Sequence, residues 1–360
     1  MTRFACIPEL RSLRNVLACI LVAAAAVLPC GRAPFAAHAA AGPAQFAPQQ
    51  ESPLYLPVIR SNYVQYSVDV GSRQAVRDFF YAHYVGSGEP PIEWTGDHAN
   101  CSAGDTSTAF QAHILERINY FRAMAGVPAE VVLLDDFNRK AQAAALLMSV
   151  NGELSHAPPA TWTCYSQEAY DGASASNLGL GSLGAGGIQS FMQDWGSNNY
   201  GVGHRRWMLL PQTRWMGAGN VPGRDGYSPA YALFVVDQEH YSDPRPPVRD
   251  FFIAWPPAGY TPYQVVFPRW SFSYPDADFT SAAVTMLADG AAIPVTLESL
   301  RGGGAGDPTI VWRPLDMEDH RTWPEPDHDT NYTVTVSGFL VDGQPQTVTY
   351  NVIVFDPQQS

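Results

Sequence analysis

Two histidines stand where their imidazoles can converge on one shallow site. They are Ser155-His156, just after a helical stretch, and the second residue of Gly203-His204-Arg205-Arg206-Trp207-Met208-Leu209. An imidazole pair offers metal ligation or proton transfer near neutral pH. Zinc asks for three protein ligands and an open position, or four in a structural site, so a carboxylate has to join the pair. Asp194, ten residues before His204, is the foremost third ligand, ahead of Glu153 and Glu168. No His-Glu-x-x-His pattern is present, which removes the helix of the conventional zinc peptidases. No Gly-x-Ser-x-Gly elbow is present either, and no residue is assigned as catalytic. Spacing alone leaves two readings open: two structural imidazoles bonded to their own neighbours, or two that share a site.

The elements that must position these residues follow from periodicity. Phe110, Ile114, Ile118 and Phe121 form a helical stripe that Gly126-Val127-Pro128 stops. A second helix is expected from about Asp135 to Val150, with Asp135 and Asp136 at its start, Phe137, Ala141, Ala144 and Met148 on its buried face, and Gly152 at its end. Residues 157–187, rich in Pro, Ser and Gly, are expected to form a long irregular loop. A short helix follows over 188–195. Then 203–209, 215–221 and 230–236 read as strands, the first of which places His204, Arg206 and Met208 on one face. Gly179-Leu180-Gly181-Ser182-Leu183-Gly184 matches the glycine spacing of dinucleotide-binding turns. It follows a polar stretch instead of a strand and lacks the acidic residue about twenty positions later, so it reads as a flexible loop.

The ends of the chain add further expectations. Residues 1–39 combine Arg3, Arg11 and Arg14, an apolar run over 16–28 and Ala37-His38-Ala39, the pattern of an export signal. Pro29 before Cys30 argues against lipidation, and the apolar run is too short for a membrane anchor. Residues 40–60 form a flexible tether, and the aromatic-rich 61–105 an extension packing on a domain at 106–242. A Pro-rich linker at 243–248 leads to short alternating runs over 249–357, which fit a β-sandwich with a hairpin at Asp342-Gly343. Cys6, Cys19 and Cys30 leave with the signal. Cys101 and Cys164 remain as one disulfide closing a loop of about 60 residues, worth about 3–4 kcal/mol. The formal net charge is −13, and it falls to about −16 without the signal. Such a chain repels phosphate backbones, so nucleic acid is excluded as a partner.

Taken in order, these motifs resemble the CAP superfamily, which includes cysteine-rich secretory proteins, venom allergens, plant pathogenesis-related proteins and many bacterial members. The resemblance is carried by Arg117-Ile118-Asn119-Tyr120-Phe121-Arg122 with Gly126-Val127-Pro128, by Ala141-Gln142-Ala143-Ala144, Ser155-His156 and Ser176-Asn177-Leu178, and by 191–194 and Gly203-His204-Arg205-Arg206-Trp207. The Arg-Arg-Trp form is similar to bacterial secreted members. The resemblance implies an α+β chain: a three-layer α-β-α sandwich followed by an all-β, Ig-like sandwich. It also implies a cleft holding His156 and His204, with Asp194, Ser176 and Asn177 around them. Where the family has Gly-Glu-Asn, this chain has Ala175-Ser176-Asn177, so a hydroxyl replaces one of two glutamates, and Asp194 stands at the other carboxylate position.

Two functions follow as expectations. One is a secreted, non-catalytic extracellular binding module whose ligand is a lipid or another protein. The other is a metal-dependent, peptidase-like hydrolase that holds zinc on His156 and His204, with Asp194 as ligand or base. The serine at 176 removes a carboxylate from the second.

Overall fold

The computed structural model describes residues 4–5, 66–86, 88–301 and 306–359. The expected signal over 1–39, apart from Phe4–Ala5, and the tether over 40–60 lie outside the described residues.

The first layer of the N-terminal domain is built on α2 (Thr108–Ala125). Ser107 caps it by accepting from the Phe110 N–H, and Gly126 ends it in a left-handed turn at φ 76°. Before it, α1 (Arg73–Phe80) continues into a π-helical turn over Tyr81–Val85. Aromatic rings seal this pair to α2: Phe79 stacks on Tyr120 at 5.3 Å, and the Arg117 guanidinium lies 3.8 Å from the centre of the Tyr84 ring.

The middle layer is a five-stranded sheet in the order β1-β3-β5-β4-β2, with β1 Phe4–Ala5, β2 Val132–Leu133, β3 Ser176–Leu180, β4 Trp215–Val221 and β5 Ala230–Phe234. Its pairings are antiparallel except β2 with β4. Successive β5 residues serve opposite cores. Tyr231 and Leu233 join the cluster of α2, while Ala230, Ala232 and Phe234 join that of α3 (Asp135–Asn151) and α4 (Gln167–Ser174). A strand with period two and both faces buried is the signature of a covered sheet. The layers are therefore α-β-α. On β4, Gly217 and Gly219 alternate with the buried Met216 and Ala218. A Cβ on Gly219 would stand 2.2 Å from the Ala141 carbonyl carbon, so these glycines let α3 rest on the strand backbone.

Three sequence expectations are corrected here. Residues 203–209 are not a strand: Gly203–Met208 is a helix, α6. His-Arg-Arg-Trp-Met contains no β-branched residue, and its alternation is overridden by the packing of its charged residues. Nor is 157–187 a continuous loop, because it holds α4, capped by Ser166, and β3. All five β3 residues are buried, so no alternation marks the strand, and Gly179 within it clears the Tyr231 ring. The glycine run thus begins within the end of a strand and closes on the first residue of a helix, α5 (Gly184–Gln193). Its N-terminus is nevertheless filled from within. Glu89 Oε1 accepts from the Ala185 N–H at 3.1 Å and Asn220 Oδ1 from the Gly184 N–H at 2.8 Å, which places a carboxylate where a phosphate would sit.

The C-terminal region is a two-sheet sandwich. One sheet runs β11-β10-β14-β15-β7, with β9 beside β14; the other runs β12-β13-β8-β6. The first comprises β7 Gly259–Pro262, β9 Ala277–Asp278, β10 Ala283–Ala288, β11 Ala291–Ile293, β14 Thr330–Val341 and β15 Gln344–Phe355. The second comprises β6 Ile253–Trp255, β8 Trp270–Ser273, β12 Val295–Arg301 and β13 Thr309–Pro314. Trp270, Phe272, Trp312, Phe339 and Val352 fill the space between them. Asp342 and Gly343 both take positive φ, as the tight β14–β15 hairpin requires. The sandwich is fused to the first domain. Trp255 is fully buried against Phe121, with ring centres 5.3 Å apart, and Arg249 donates to the Ala123 and Met124 carbonyls at the end of α2.

Among the described residues no helix is long and apolar enough to cross a membrane. Cys101 and Cys164 are bridged, 63 residues apart, and tie the segment before α2 to the loop before α4.

Candidate functional site

His204 is the second residue of α6 and is buried. Its Nδ1 lies 2.6 Å from Oδ1 of Asp194, which is also fully buried. A carboxylate only accepts, so Nδ1 carries the proton, and the ring's lone pair is placed on Nε2 when the imidazole is neutral. The second oxygen, Oδ2, accepts from the backbone N–H of His204 at 3.0 Å and of Arg205 at 3.4 Å. Asp194 therefore does two things at once: it caps the start of α6 and orients the imidazole. To do so it ends α5 in the left-handed region, φ 55° and ψ 45°, which costs a residue with a Cβ about 1 kcal/mol or more.

His156 follows α3 in a turn and is half-buried. Its Nδ1 meets the Ala173 carbonyl of α4 at 2.8 Å, so it too is protonated on Nδ1. Asn177, four residues beyond Ala173, donates from Nδ2 to the His204 carbonyl at 3.0 Å. Both histidines are thus anchored on the single segment 173–177, whose ends lie no more than about 14 Å apart. Ser176 sits in that segment, wholly buried and opposite Phe234 in the sheet. Phe191 of α5 packs 5.2 Å from the His204 ring and 4.7 Å from Tyr231.

Two arginines frame the site. Arg205 is fully buried, and burial lowers its guanidinium to about 9, so it remains protonated at neutral pH. It donates to Met192 O at 2.6 Å, Arg269 O at 2.8 Å and Ser271 Oγ at 3.0 Å. Arg269, from the sandwich, donates to Asp194 O at 2.6 Å. Sequence reasoning missed both roles. For Arg269 a signal was present, since it is a charge embedded in the apolar run Phe267-Pro268-Arg269-Trp270-Ser271-Phe272.

A family model, the CAP or cysteine-rich secretory protein family, matches residues 115–238. The chain carries a CAP domain. No curated protein matches the chain. The matched CAP segment runs from α2 to just past β5 and contains His156, Ser176, Asn177, Asp194 and His204, whereas Arg269 lies beyond it. The three-layer arrangement agrees with the CAP fold.

A metal bound at the two histidines would need a donor set. Among the described residues no group of three His, Cys, Asp or Glu side chains stands together in a form that could hold an ion. Asp194, expected as the third ligand, has one oxygen on His204 Nδ1 and the other on two backbone N–H groups, on the far side of the ring from Nε2. Its geometry is that of an orienting carboxylate, so the residues present do not fit a three-ligand zinc site.

Proposed function

We propose that this chain is a secreted, non-catalytic binding protein whose CAP domain offers a cleft at the half-buried His156, backed by the buried His204, to an extracellular ligand, a lipid or another protein. The observation that carries this reading is the state of Asp194. The carboxylate that a hydrolase would use as ligand or base is wholly buried and bound to three N–H groups, and the alternative position holds the buried Ser176. Neither residue is placed to take a proton from a water held between the histidines. Among the described residues no third His, Cys, Asp or Glu ligand stands with the two imidazoles, so zinc should bind weakly and only where imidazole is neutral. Export is supported by the Cys101–Cys164 bridge, which belongs to an oxidising compartment.

The test fills the cleft. His156→Trp should abolish retention of the purified protein by sterol-containing phosphatidylcholine vesicles, or by a partner recovered by crosslinking at the cleft, while leaving the fold unchanged by circular dichroism. Retention equal to wild type in both assays would overturn the assignment of the cleft as the binding site.

A further inference from the structure

Helix α5 ends with three successive carbonyls that are each met by a guanidinium. Arg205 donates to Met192 O and Gln193 O, and Arg269 to Asp194 O. The last carbonyls of a helix have no partners within it and carry the negative end of its dipole, so cations there are favourable. The first arginine belongs to the CAP domain. The second belongs to the sandwich, 75 residues from its acceptor. The two are interlocked, because Arg205 in turn donates to Arg269 O and to Ser271 Oγ of β8.

Arg269 is itself fixed by carboxylates of the sandwich. Its Nε donates to Glu298 at 2.5 Å and its Nη2 to Asp319 at 2.8 Å, and Arg313 grips the other oxygen of Glu298. Asp319 Oδ2 also accepts from the Gly196 N–H at 2.8 Å, two residues past Asp194. The turn that carries Asp194 is thus held on both sides from the sandwich, through its carbonyl by Arg269 and through Gly196 by Asp319. Within the CAP domain the Asp194 N–H donates to Ser190 O, and its carboxylate holds His204.

We propose that Arg269 is a positioning residue for the His204 imidazole, and that the sandwich is thereby a working part of the CAP cleft instead of a spacer attached to it. Arg269 acts through Asp194: it neutralises the carbonyl of a residue in the left-handed region, keeps that residue at the end of α5, and so keeps the carboxylate aimed at Nδ1. The inference rests on His204 being the working imidazole of the cleft. The two claims fail separately, because the Nδ1 proton is observed without ligand and His156→Trp leaves the α5–β8 contacts in place.

The experiment is proton and nitrogen NMR of the full chain with labelled histidine. The His204 Nδ1 proton, bound to a buried carboxylate, should resonate far downfield, and His204→Gln assigns it by removing it. Arg269→Gln should move that resonance upfield and accelerate its exchange with water about tenfold or more. Arg269→Lys, which restores a cationic donor to Asp194 O, should recover part of the effect. Arg249→Ala should leave the signal unchanged, because Arg249 bonds the Ala123 and Met124 carbonyls at the end of α2 and has no part in the network around Asp194. A folded Arg269→Gln with the wild-type signal overturns the proposal, as does an equal change in Arg249→Ala. If Arg269→Gln fails to fold, Asp319→Asn, which loosens Arg269 and Gly196 from outside α5, decides by the same readout: faster exchange supports the proposal and an unchanged signal overturns it.

Discussion

Asp194 and His204 meet at 2.6 Å with neither side chain exposed to solvent, and the same carboxylate caps the helix on which His204 rides. Orientation of the ring and formation of α6 are therefore one event.

Removing that carboxylate should be costly. Asp194→Ala leaves the His204 and Arg205 N–H groups and the imidazole Nδ1 unpaired in a buried place, and it should lower the unfolding free energy by about 3 kcal/mol or more in urea titrations. Asp194→Asn keeps an acceptor for one of these groups and should cost visibly less. Equal losses for the two variants would show that the bonds described do not set the stability of this turn.

The bridge between Cys101 and Cys164 closes a loop of 63 residues. The double substitution Cys101→Ser with Cys164→Ser should lower stability by about 3–4 kcal/mol, seen as a lower melting temperature that reductant no longer changes. An unaltered melting temperature would mean that the segments it joins are held by their other contacts.

His98 is buried between Trp94 and Tyr227 and bonded to Ser149, and burial, with Arg224 adding to it, holds its imidazole below the ordinary value. The unfolded chain then binds a proton at higher pH than the folded one. Stability should rise with pH through the window below about 6.5 and fall as the solution is acidified across it. His98→Gln should flatten the profile between pH 7 and 5. A profile with the wild-type slope would assign that dependence to another group.

Much of the fold was legible from local patterns. The stripe from Phe110 to Phe121 and the capped stretch from Asp135 gave α2 and α3 because each combines a period near 3.6 with a glycine stop. Asp342-Gly343 marked its hairpin through the backbone conformation it alone permits at low cost. What stayed hidden depends on contacts distant in sequence. β3 is buried on both faces and so shows no alternation. α6 is set by Asp194 capping its N–H groups and by the buried Arg205, neither visible in a six-residue window. The histidines themselves were found by motif, whereas Arg269 joined the site only once β8 was brought against α5.

The proposed function requires that the cleft bind without turnover. The direct measurement is hydrolysis of peptide and ester substrates by the purified full chain, with and without added zinc, beside His156→Ala and His204→Ala. Rates indistinguishable from buffer in all samples are predicted, since Asp194 is committed to His204 and Ser176 offers no base. Zinc-dependent turnover that disappears in both histidine variants would contradict it.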